Sequence, residues 1–313
     1  MKRLLTVIGS ILFFTAMLVF PKAAFQGACS GVVLWFHTVL PTLLPFLIIT
    51  NLLIHTGAVR LISRLLAPAL CPFFRVSPYG AFVILTGFLC GCPMGSKVTA
   101  DLLRENAISR CEACYLLSFC NNTSPMFVIS YVLWQNLKIP ALTLPLLAIL
   151  TAAPVLLSFL FRRLCHVSAQ EHGYIFRNSS VQTPSAENSS TSLDDCIMNG
   201  FETITRIGGY IILFSILISF ASLLPFRPAA VTALLLPSLE ITAGIPMICS
   251  APLSLNSQII LALALTSFGG WCAAAQTRAM LKGTSLPFLP YIAEKLITAL
   301  ATSLLVWMFL LFC

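Results

Sequence analysis

Residues 79–103 read YGAFVILTGFLCGCPMGSKVTADLL, and this stretch indicates the class of fold. It is apolar as far as a turn of sequence GCPMG at 91–95, and it then continues with Lys97 and Asp101. Glycine and proline interrupt helices, and irregular backbone at membrane depth is tolerated only where protein buries it. The stretch therefore predicts a broken or re-entrant helix packed among other membrane helices.

The composition of the whole chain supports a membrane protein. Hydrophobic residues make up 58% of the 313 residues and charged residues 9%, whereas soluble domains carry about 25% charged residues. So few charges cannot cover the surface of a water-soluble globule. A soluble enzyme, a nucleic-acid-binding protein and a disordered protein are thereby excluded, and the twelve cysteines are too sparse for a disulfide scaffold.

Apolar segments recur along the chain, and lipid favours helices because an open strand leaves its backbone groups unsatisfied there. We predict an all-α polytopic membrane protein with about eight to ten membrane segments. The first segment follows Lys2 and Arg3 as in a secretory signal, but we expect residues 1–30 to be retained as an N-terminal membrane anchor helix. The apolar segments lie at 4–20, 32–54, 79–92, 113–134, 140–161, 207–224, 230–248, 257–275 and 287–313.

A second stretch, 257–282, resembles the first, because it breaks at Gly269-Gly270 and continues into a polar helix. The sequences LTGF at 85–88 and LTSF at 265–268 precede the two breaks. The matching order of unusual elements predicts a duplication with repeats at 31–166 and 200–313. Corresponding broken segments in two halves point to the substrate site of a transporter.

Residues 167–199, between the repeats, are rich in serine without apolar periodicity, which predicts a disordered linker. The basic residues of the first half fall mainly on one side of the membrane if 79–103 enters and leaves by the same face. The positive-inside rule then places the N-terminus and the linker in the cytoplasm of a bacterial cell, and it makes the second repeat inverted. The basic residues on that side are Lys2, Arg3, Arg60, Arg64, Arg75, Arg104, Arg110, Arg162 and Arg163.

Charges within membrane segments are rare and indicate function. Lys97 and Asp101 are four residues apart and share a helix face, so they either form a helix-end salt bridge or leave Lys97 to meet an anionic substrate. Asn121, Asn122 and Ser124 interrupt an apolar segment. Interhelical hydrogen bonding needs fewer polar groups than this, so a site for a polar solute is favoured.

The second half supplies Glu240 and Thr242 within an apolar run, and backbone N–H groups at 267–270 that suit an anion. The pair Cys111 and Cys114 lacks partners for a zinc site, so we expect no metal, no cofactor and no enzyme activity. The predicted coupling or structural charges are Asp101, Glu202 and Glu240. The predicted substrate-binding residues are Lys97, Asn121, Asn122, Ser124, Thr242, Ser267, Gly269, Gly270 and Gln276.

Together these motifs resemble the YlbJ-type (SpoVV) sporulation integral membrane proteins of the nucleoside-recognition Gate domain superfamily. The resemblance covers about residues 35–310, and Cys92 departs from it, because an aromatic residue is expected there. It implies two Gate-like inverted repeats, each with a re-entrant hairpin. The matching stretches are GCPMGSK at 91–97, SFCNN at 118–122, GFET at 200–203, LEITAG at 239–244 and SFGG at 267–270 with Gln276.

The resemblance also implies passage of dipicolinate across the outer forespore membrane, towards the developing spore. This flat dianion would meet Lys97, Asn121, Asn122 and the 267–270 turn, whereas Glu202 and Glu240 would bind a coupling cation or proton, or pair with a basic residue. The alternatives are a structural or assembly protein of the spore envelope and a nucleoside-type transporter. The expected partners are a small-molecule substrate, the lipid bilayer and, as an open possibility, further copies of the chain. No nucleic acid is expected.

Overall fold

The structure, a computed structural model, describes residues 2–56, 58–164, 193–223 and 234–312. The regular elements in these ranges are helices, as the composition predicts. The first part of the chain forms α1 (Lys2–Val19), α2 (Pro21–Leu34), α3 (Leu40–His55), α4 (Ala58–Phe74), α5 (Pro78–Leu89), α6 (Met94–Arg104), α7 (Arg110–Cys120), α8 (Pro125–Phe127) and α9 (Thr143–Leu164). The second part forms α10 (Leu193–Ala221), α11 (Leu236–Leu239), α12 (Ile241–Cys249), α13 (Leu255–Phe268), α14 (Gly270–Met280) and α15 (Phe288–Leu311).

Two π-helical segments that lie wholly within the described ranges extend these elements. Trp35–Val39 joins α2 to α3, and Val128–Asn136 continues α8. The wider π-helical turn occurs mostly as single bulges, often at functional sites. The second segment therefore marks an irregular helix next to the polar stretch that the sequence singled out.

Within the described ranges, five helices are long and apolar enough to cross a membrane. A sixth is added if the pair α4–α5, bent by 90°, is counted as one span. The sequence prediction of about eight to ten segments counted apolar stretches, several of which the structure divides into shorter helices. The five spans are Pro21–Leu53, Pro140–Arg163, Leu193–Ala221, Leu255–Met280 and Phe288–Leu311.

The bend between α4 and α5 is fixed by capping groups. The Ser77 hydroxyl accepts a hydrogen bond from the Gly80 amide at 3.1 Å, and Pro78 occupies the first helical position. The buried Glu112 carboxylate accepts the Ser77 N–H at 2.6 Å. These contacts hold the start of α5 against α7.

Helix packing creates two apolar clusters with the breaks between them. The first cluster is built from α3 to α7 and α10, and the second from the π-helical continuation of α8 together with α9, α12, α13 and α15. Helix α10 packs on α2 and α3, and α13 packs on α15. The largest fully buried side chains include Phe82, Tyr115 and Phe119 in the first cluster and Leu133, Leu146 and Ile245 in the second.

The end of the predicted linker needs a correction. Residues 165–192 lie outside the described residues, but α10 already begins at Leu193. Residues 193–199 are therefore helical, because they continue the apolar and polar periodicity of the helix that follows. The two halves also share an order of elements, namely two broken helices and then a span. By this order α5–α6 corresponds to α11–α12, and α13–α14 corresponds to α7–α8 rather than to the stretch 79–103 with which the sequence comparison paired it. The inverted relation of the halves stays a prediction.

Candidate functional site

The first break covers residues 90–93, between α5 and α6. Gly91 has a φ of +82°, a left-handed conformation that a side chain would strain. Pro93 has no N–H with which to continue the helix. Cys92 donates its backbone N–H to the Asn122 carbonyl, so the first break is bonded to the second.

The second break covers residues 121–124, between α7 and α8. The Ser124 hydroxyl accepts a hydrogen bond from the Phe127 amide at 3.4 Å and so caps α8. Pro125 follows at the first helical position, where its missing N–H costs nothing. The polar stretch that interrupts the apolar segment is therefore a true break in the helix.

The third and fourth breaks are very short. Glu240 is extended, with φ −148° and ψ 123°, and its carboxylate caps α12 by accepting the Ala243 N–H at 2.8 Å and the Thr242 hydroxyl. Gly269 and Gly270 have φ values of +88° and +85°, which glycine adopts without strain. The third break, at Glu240, therefore depends on an acidic helix cap. The fourth break, at Gly269-Gly270, depends on two glycines.

The breaks of the two halves are bonded to each other. The Thr123 hydroxyl in the second break donates to the Thr266 carbonyl in the last turn of α13 at 2.7 Å. A Cβ atom added at Gly270 would lie 3.1 Å from the Ser238 carbonyl oxygen of α11. The close approach explains why glycine is needed there, and it joins the fourth break to the third.

A cavity of about 80 Å³ lies where the four breaks meet. Its volume is well below the roughly 300–1,000 Å³ of typical ligand pockets. The π-helical segment Trp35–Val39, α3 and α10 line its remaining side. Its lining consists of Val39, Thr42, Leu43, Cys92, Thr123, Ser124, Phe127, Ile207, Ile211, Glu240, Ile241, Thr242, Gly269, Cys272, Ala273 and Gln276.

Four helices begin at this cavity, namely α6, α8 with its π-helical continuation, α12 and α14. Each is preceded by a residue that lines the cavity or adjoins one that does, such as Ser124 or Gly269. The start of a helix has unsatisfied N–H groups and a partial positive charge. Protein groups already accept some of these N–H groups, namely Asn121 Oδ1 at α6, the Ser124 hydroxyl at α8 and the Glu240 carboxylate at α12. A preference for a negatively charged ligand therefore rests on the partial positive charges of the four helix starts.

Gln276 gives the cavity an amide with unused hydrogen-bonding capacity. Its side chain is 6% exposed, and in the part of the chain that is described its amide contacts only the Cys272 thiol, at 3.3 Å. A thiol is a weak acceptor. A buried amide with such a poor partner suits a ligand that supplies a better one.

The structure brings together five of the residues that the sequence singled out. They come from three different breaks and from α12 and α14, so only the fold makes them neighbours. Their role in binding stays a prediction. The five are Ser124, Glu240, Thr242, Gly269 and Gln276.

Asn121 and Asn122 lie behind the cavity and are satisfied within the protein. Asn121 is 1% exposed, and its amide nitrogen donates to the Thr277 hydroxyl at 2.9 Å and to the Tyr291 hydroxyl at 2.8 Å. Its Oδ1 accepts the Ser96 N–H at 3.3 Å. The Asn122 amide turns back to the last turn of α7. Both residues shape the second break, and neither lines the cavity.

Lys97 and Asp101 also lie away from the cavity. Lys97 Nζ is 3.1 Å from the Asp101 carboxylate and 3.2 Å from Oδ1 of Asn51. Arg104 contacts the other Asp101 oxygen at 2.7 Å. The helix-end salt bridge of Lys97 is thus present, and a role of Lys97 in substrate binding stays a prediction.

These charges belong to a second, polar cavity of about 460 Å³, the polar vestibule, which lies along α6 and around the last turn of α14. Glu202 on α10 lines it and pairs with Arg206 at 2.7 Å, as one of the sequence alternatives proposed. The vestibule is lined by Asn51, Lys97, Asp101, Arg104, Glu105, Asn199, Glu202, Thr203, Arg206, Ala279, Met280 and Lys282.

Ser267 and Gly270 have structural contacts rather than a place in the cavity lining. The Ser267 hydroxyl accepts a hydrogen bond from the Thr302 hydroxyl at 3.0 Å. Gly270 packs on α11. The backbone turn predicted to bind an anion thus contributes Gly269 alone to the cavity wall.

Sequence reasoning missed a polar stripe on α15, formed by Tyr291, Lys295, Thr298 and Thr302, all of them buried. The spacing of four, three and four residues places them on one helix face. This periodicity within the apolar run was a readable signal. The stripe contacts the second break through Tyr291 and Lys295, and α13 through Thr302.

No group of three or more His, Cys, Asp or Glu side chains suited to a metal ion occurs among the described residues. The cysteines named by the zinc argument, Cys111 and Cys114, are free thiols. The polar groups at the cavity are hydroxyls, an amide, a carboxylate and backbone N–H groups, which suit a polar organic solute.

Comparison with known proteins agrees with this architecture. The model of the Gate family, described as nucleoside recognition, matches residues 36–134, which include the first and second breaks. The sporulation integral membrane protein YlbJ of Bacillus subtilis (strain 168) is 31% identical over 331 residues, covering 94% of this chain and 79% of that protein. No solved structure matches the chain. At this identity and coverage, the chain belongs to the family of the sporulation integral membrane protein YlbJ.

Proposed function

We propose that the protein is a secondary transporter of a small anionic metabolite that works by alternating access. The observation that supports this most is the meeting of four helix breaks around one cavity. Breaks at membrane depth free N–H and C=O groups that a continuous helix uses itself, and transporters bind substrates with such groups. The Gate match favours a solute-binding membrane protein over an enzyme.

The preference for an anion follows from the helix starts around the cavity. Their partial positive charges attract carboxylate oxygens. The Gln276 amide, whose partner is a thiol at 3.3 Å, adds a donor for a ring nitrogen or a further oxygen. A flat, carboxylate-bearing ring would use both kinds of contact.

Glu240 gives this site a coupling group. Its carboxylate is 2% exposed and lines the cavity while capping α12. An anionic solute beside a buried carboxylate requires a counter-charge, because like charges repel strongly where water is excluded. We therefore propose that a proton or a cation binds at Glu240 together with the substrate.

The size of the cavity is consistent with a closed state. A volume of about 80 Å³ does not hold a substituted six-membered ring, given the roughly 300 Å³ lower bound of ligand pockets. Opening requires the breaks to separate, and the Thr123–Thr266 hydrogen bond between the halves is one contact that would be lost. Relative movement of the two halves is the motion that alternating access needs.

Within this class we propose dipicolinate as the substrate and the outer forespore membrane as the place of action. The similar Bacillus subtilis protein is named a sporulation integral membrane protein. Dipicolinate has two carboxylates for the helix starts and a ring nitrogen that can accept from Gln276. Transport would run from the mother cell towards the spore, with the N-terminus in the cytoplasm.

A structural or assembly role in the spore envelope is the second candidate function. It is favoured by Asn121 and Ser267, whose polar groups are satisfied by other side chains of the protein. Packing through such hydrogen bonds is common between membrane helices. The Gln276 amide is the feature that this candidate does not explain.

A complementation experiment tests the proposal. The chain is expressed in a Bacillus subtilis strain that lacks YlbJ, and both the dipicolinate content of the spores and the initial rate of dipicolinate uptake are measured. Gln276→Leu is expected to lower the uptake rate about five-fold at low substrate concentration, on about 1 kcal/mol for one hydrogen bond. Gln135→Leu, the same change at an exposed position, is the matched control.

Wild-type uptake rates per molecule in the Gln276 variant would show that this amide does not bind the substrate. Failure of the wild-type chain to take up dipicolinate would favour the structural role over transport. Uptake of labelled nucleosides without uptake of dipicolinate would instead identify a nucleoside-type transporter.

A further inference from the structure

Lys295 is a buried cation two turns into α15, with 3% of its surface exposed. Its Nζ donates to the Asn121 carbonyl at 3.1 Å and lies 3.5 Å from Oδ1 of Asn122. Both acceptors are uncharged. Across the described ranges, no carboxylate lies within salt-bridge distance of Nζ. A positive charge is therefore buried in a membrane-spanning helix with neutral partners alone.

Two other charged side chains are buried in the described structure, Glu112 and Glu240, and both lie at the start of a helix. Lys295 lies at the end of α7, where a cation is favourable because the carbonyl groups there carry a partial negative charge. A glutamine would satisfy the same two acceptors without burying a charge in the membrane. The contact with the end of α7 therefore explains why residue 295 is a hydrogen-bond donor. It does not explain why that donor carries a full positive charge.

Lys295 lies close enough to the cavity for its charge to act on a ligand bound there. The backbone of the second break separates Nζ from the cavity: Asn122 accepts the N–H of Cys92, and Cys92, Thr123 and Ser124 line the cavity wall. Charges act over several ångströms where water is excluded, because the effective dielectric constant is low. A carboxylate in the cavity would be the nearest mobile counter-charge.

We propose that Lys295 determines the specificity of the cavity, because its charge, acting through the backbone of the second break, selects carboxylate-bearing solutes over neutral ones of the same shape. This inference rests on the proposed transport function and names the substrate class of its site. Without substrate, the hydrogen-bond acceptors of Nζ are the uncharged Asn121 carbonyl and Asn122 Oδ1. A bound carboxylate supplies the missing counter-charge, and this contribution is absent for a neutral ligand.

The test measures equilibrium binding to the purified full-length chain in lipid nanodiscs. The probes are dipicolinate and pyridine-2,6-dicarboxamide, which keeps the ring and the planar shape but has no net charge. Lys295→Gln keeps a donor and removes the charge, Lys295→Met is a second uncharged variant, and Lys295→Arg keeps the charge. Lys138→Gln removes a charge from an exposed loop and is the matched control.

Wild type is expected to prefer dipicolinate over the diamide by about tenfold or more. Lys295→Gln and Lys295→Met should lose most of that preference through weaker dipicolinate binding, with diamide affinity within about twofold of wild type. Lys295→Arg should stay within about threefold of wild type, and Lys138→Gln should not differ from it. A preference that survives in the uncharged variants, or equal losses for both probes, would overturn the role of Lys295. Wild type that binds neither probe would instead refute the proposed function itself.

Discussion

Replacing Asn121 with leucine removes the side chain that ties the second break to three helices. Three hydrogen bonds to oxygen or nitrogen partners are lost, to the Thr277 hydroxyl, the Tyr291 hydroxyl and the Ser96 N–H, together with a weaker contact to the Cys92 thiol at 3.5 Å. Each contributes about 1 kcal/mol on the scale of soluble proteins and about 0.6 kcal/mol on that of membrane proteins. We therefore expect a loss of about 2–3 kcal/mol, although leucine fits an apolar segment well.

The assay is the melting temperature of the purified variant, read together with its level in the membrane. At about 2–4 °C per kcal/mol, a fall of about 4–12 °C is expected. Asn122→Leu is the matched comparison, because its amide bonds mainly to the nearby Phe119 carbonyl, at 2.7 Å. It should lose about half as much. A wild-type melting temperature for Asn121→Leu, or an equal fall for both variants, would refute the assignment of Asn121 to the framework of the break.

Two further predictions concern regions outside the cavity. Arg104→Ala should lower the melting temperature more than Arg206→Ala, by about 2–4 °C. Arg104 donates to the Met280 and Lys282 carbonyls in addition to its ion pair with Asp101. Arg206 has the exposed ion pair with Glu202, and such a pair contributes about 0–1 kcal/mol to stability. Equal melting temperatures of the two variants would contradict this account. Deletion of residues 168–192 should leave the uptake rate unchanged, because a serine-rich linker is expected only to connect the two repeats. A deletion variant that is stably inserted but inactive would show that this segment takes part in transport.

The breaks could be predicted from the sequence because their causes are local. Gly91 and Pro93 disrupt a helix wherever they occur, and Gly269 with Gly270 does the same in the second half. Composition likewise fixes the membrane class, because too few charges remain for a water-exposed surface. These features need no knowledge of which helices are neighbours.

The membership of the site could be predicted only in part, because it depends on side-chain direction and on contacts between distant segments. Lys97 follows the first break by four residues, yet its side chain pairs with Asp101 in the polar vestibule. Asn121 lies in the polar stretch of the second break, but its amide donates hydrogen bonds to hydroxyl groups of α14 and α15, which are distant in the sequence. The periodicity that includes Lys295 is visible in the sequence, but its partners, more than 170 residues away, are not.

The central claim, that an anionic solute passes through the cavity between the four breaks, is tested most directly by filling that cavity. Ala273 lines it, and Ala273→Leu adds apolar bulk without changing charge. Ala141→Leu, at an exposed position, is the control. The measurement is uptake of radiolabelled dipicolinate into proteoliposomes. Wild type and Ala141→Leu should take up the label, and Ala273→Leu should lose about 90% or more of the initial rate, on a penalty of about 1.4 kcal/mol or more. Full uptake by a stably folded Ala273→Leu protein would contradict the claim.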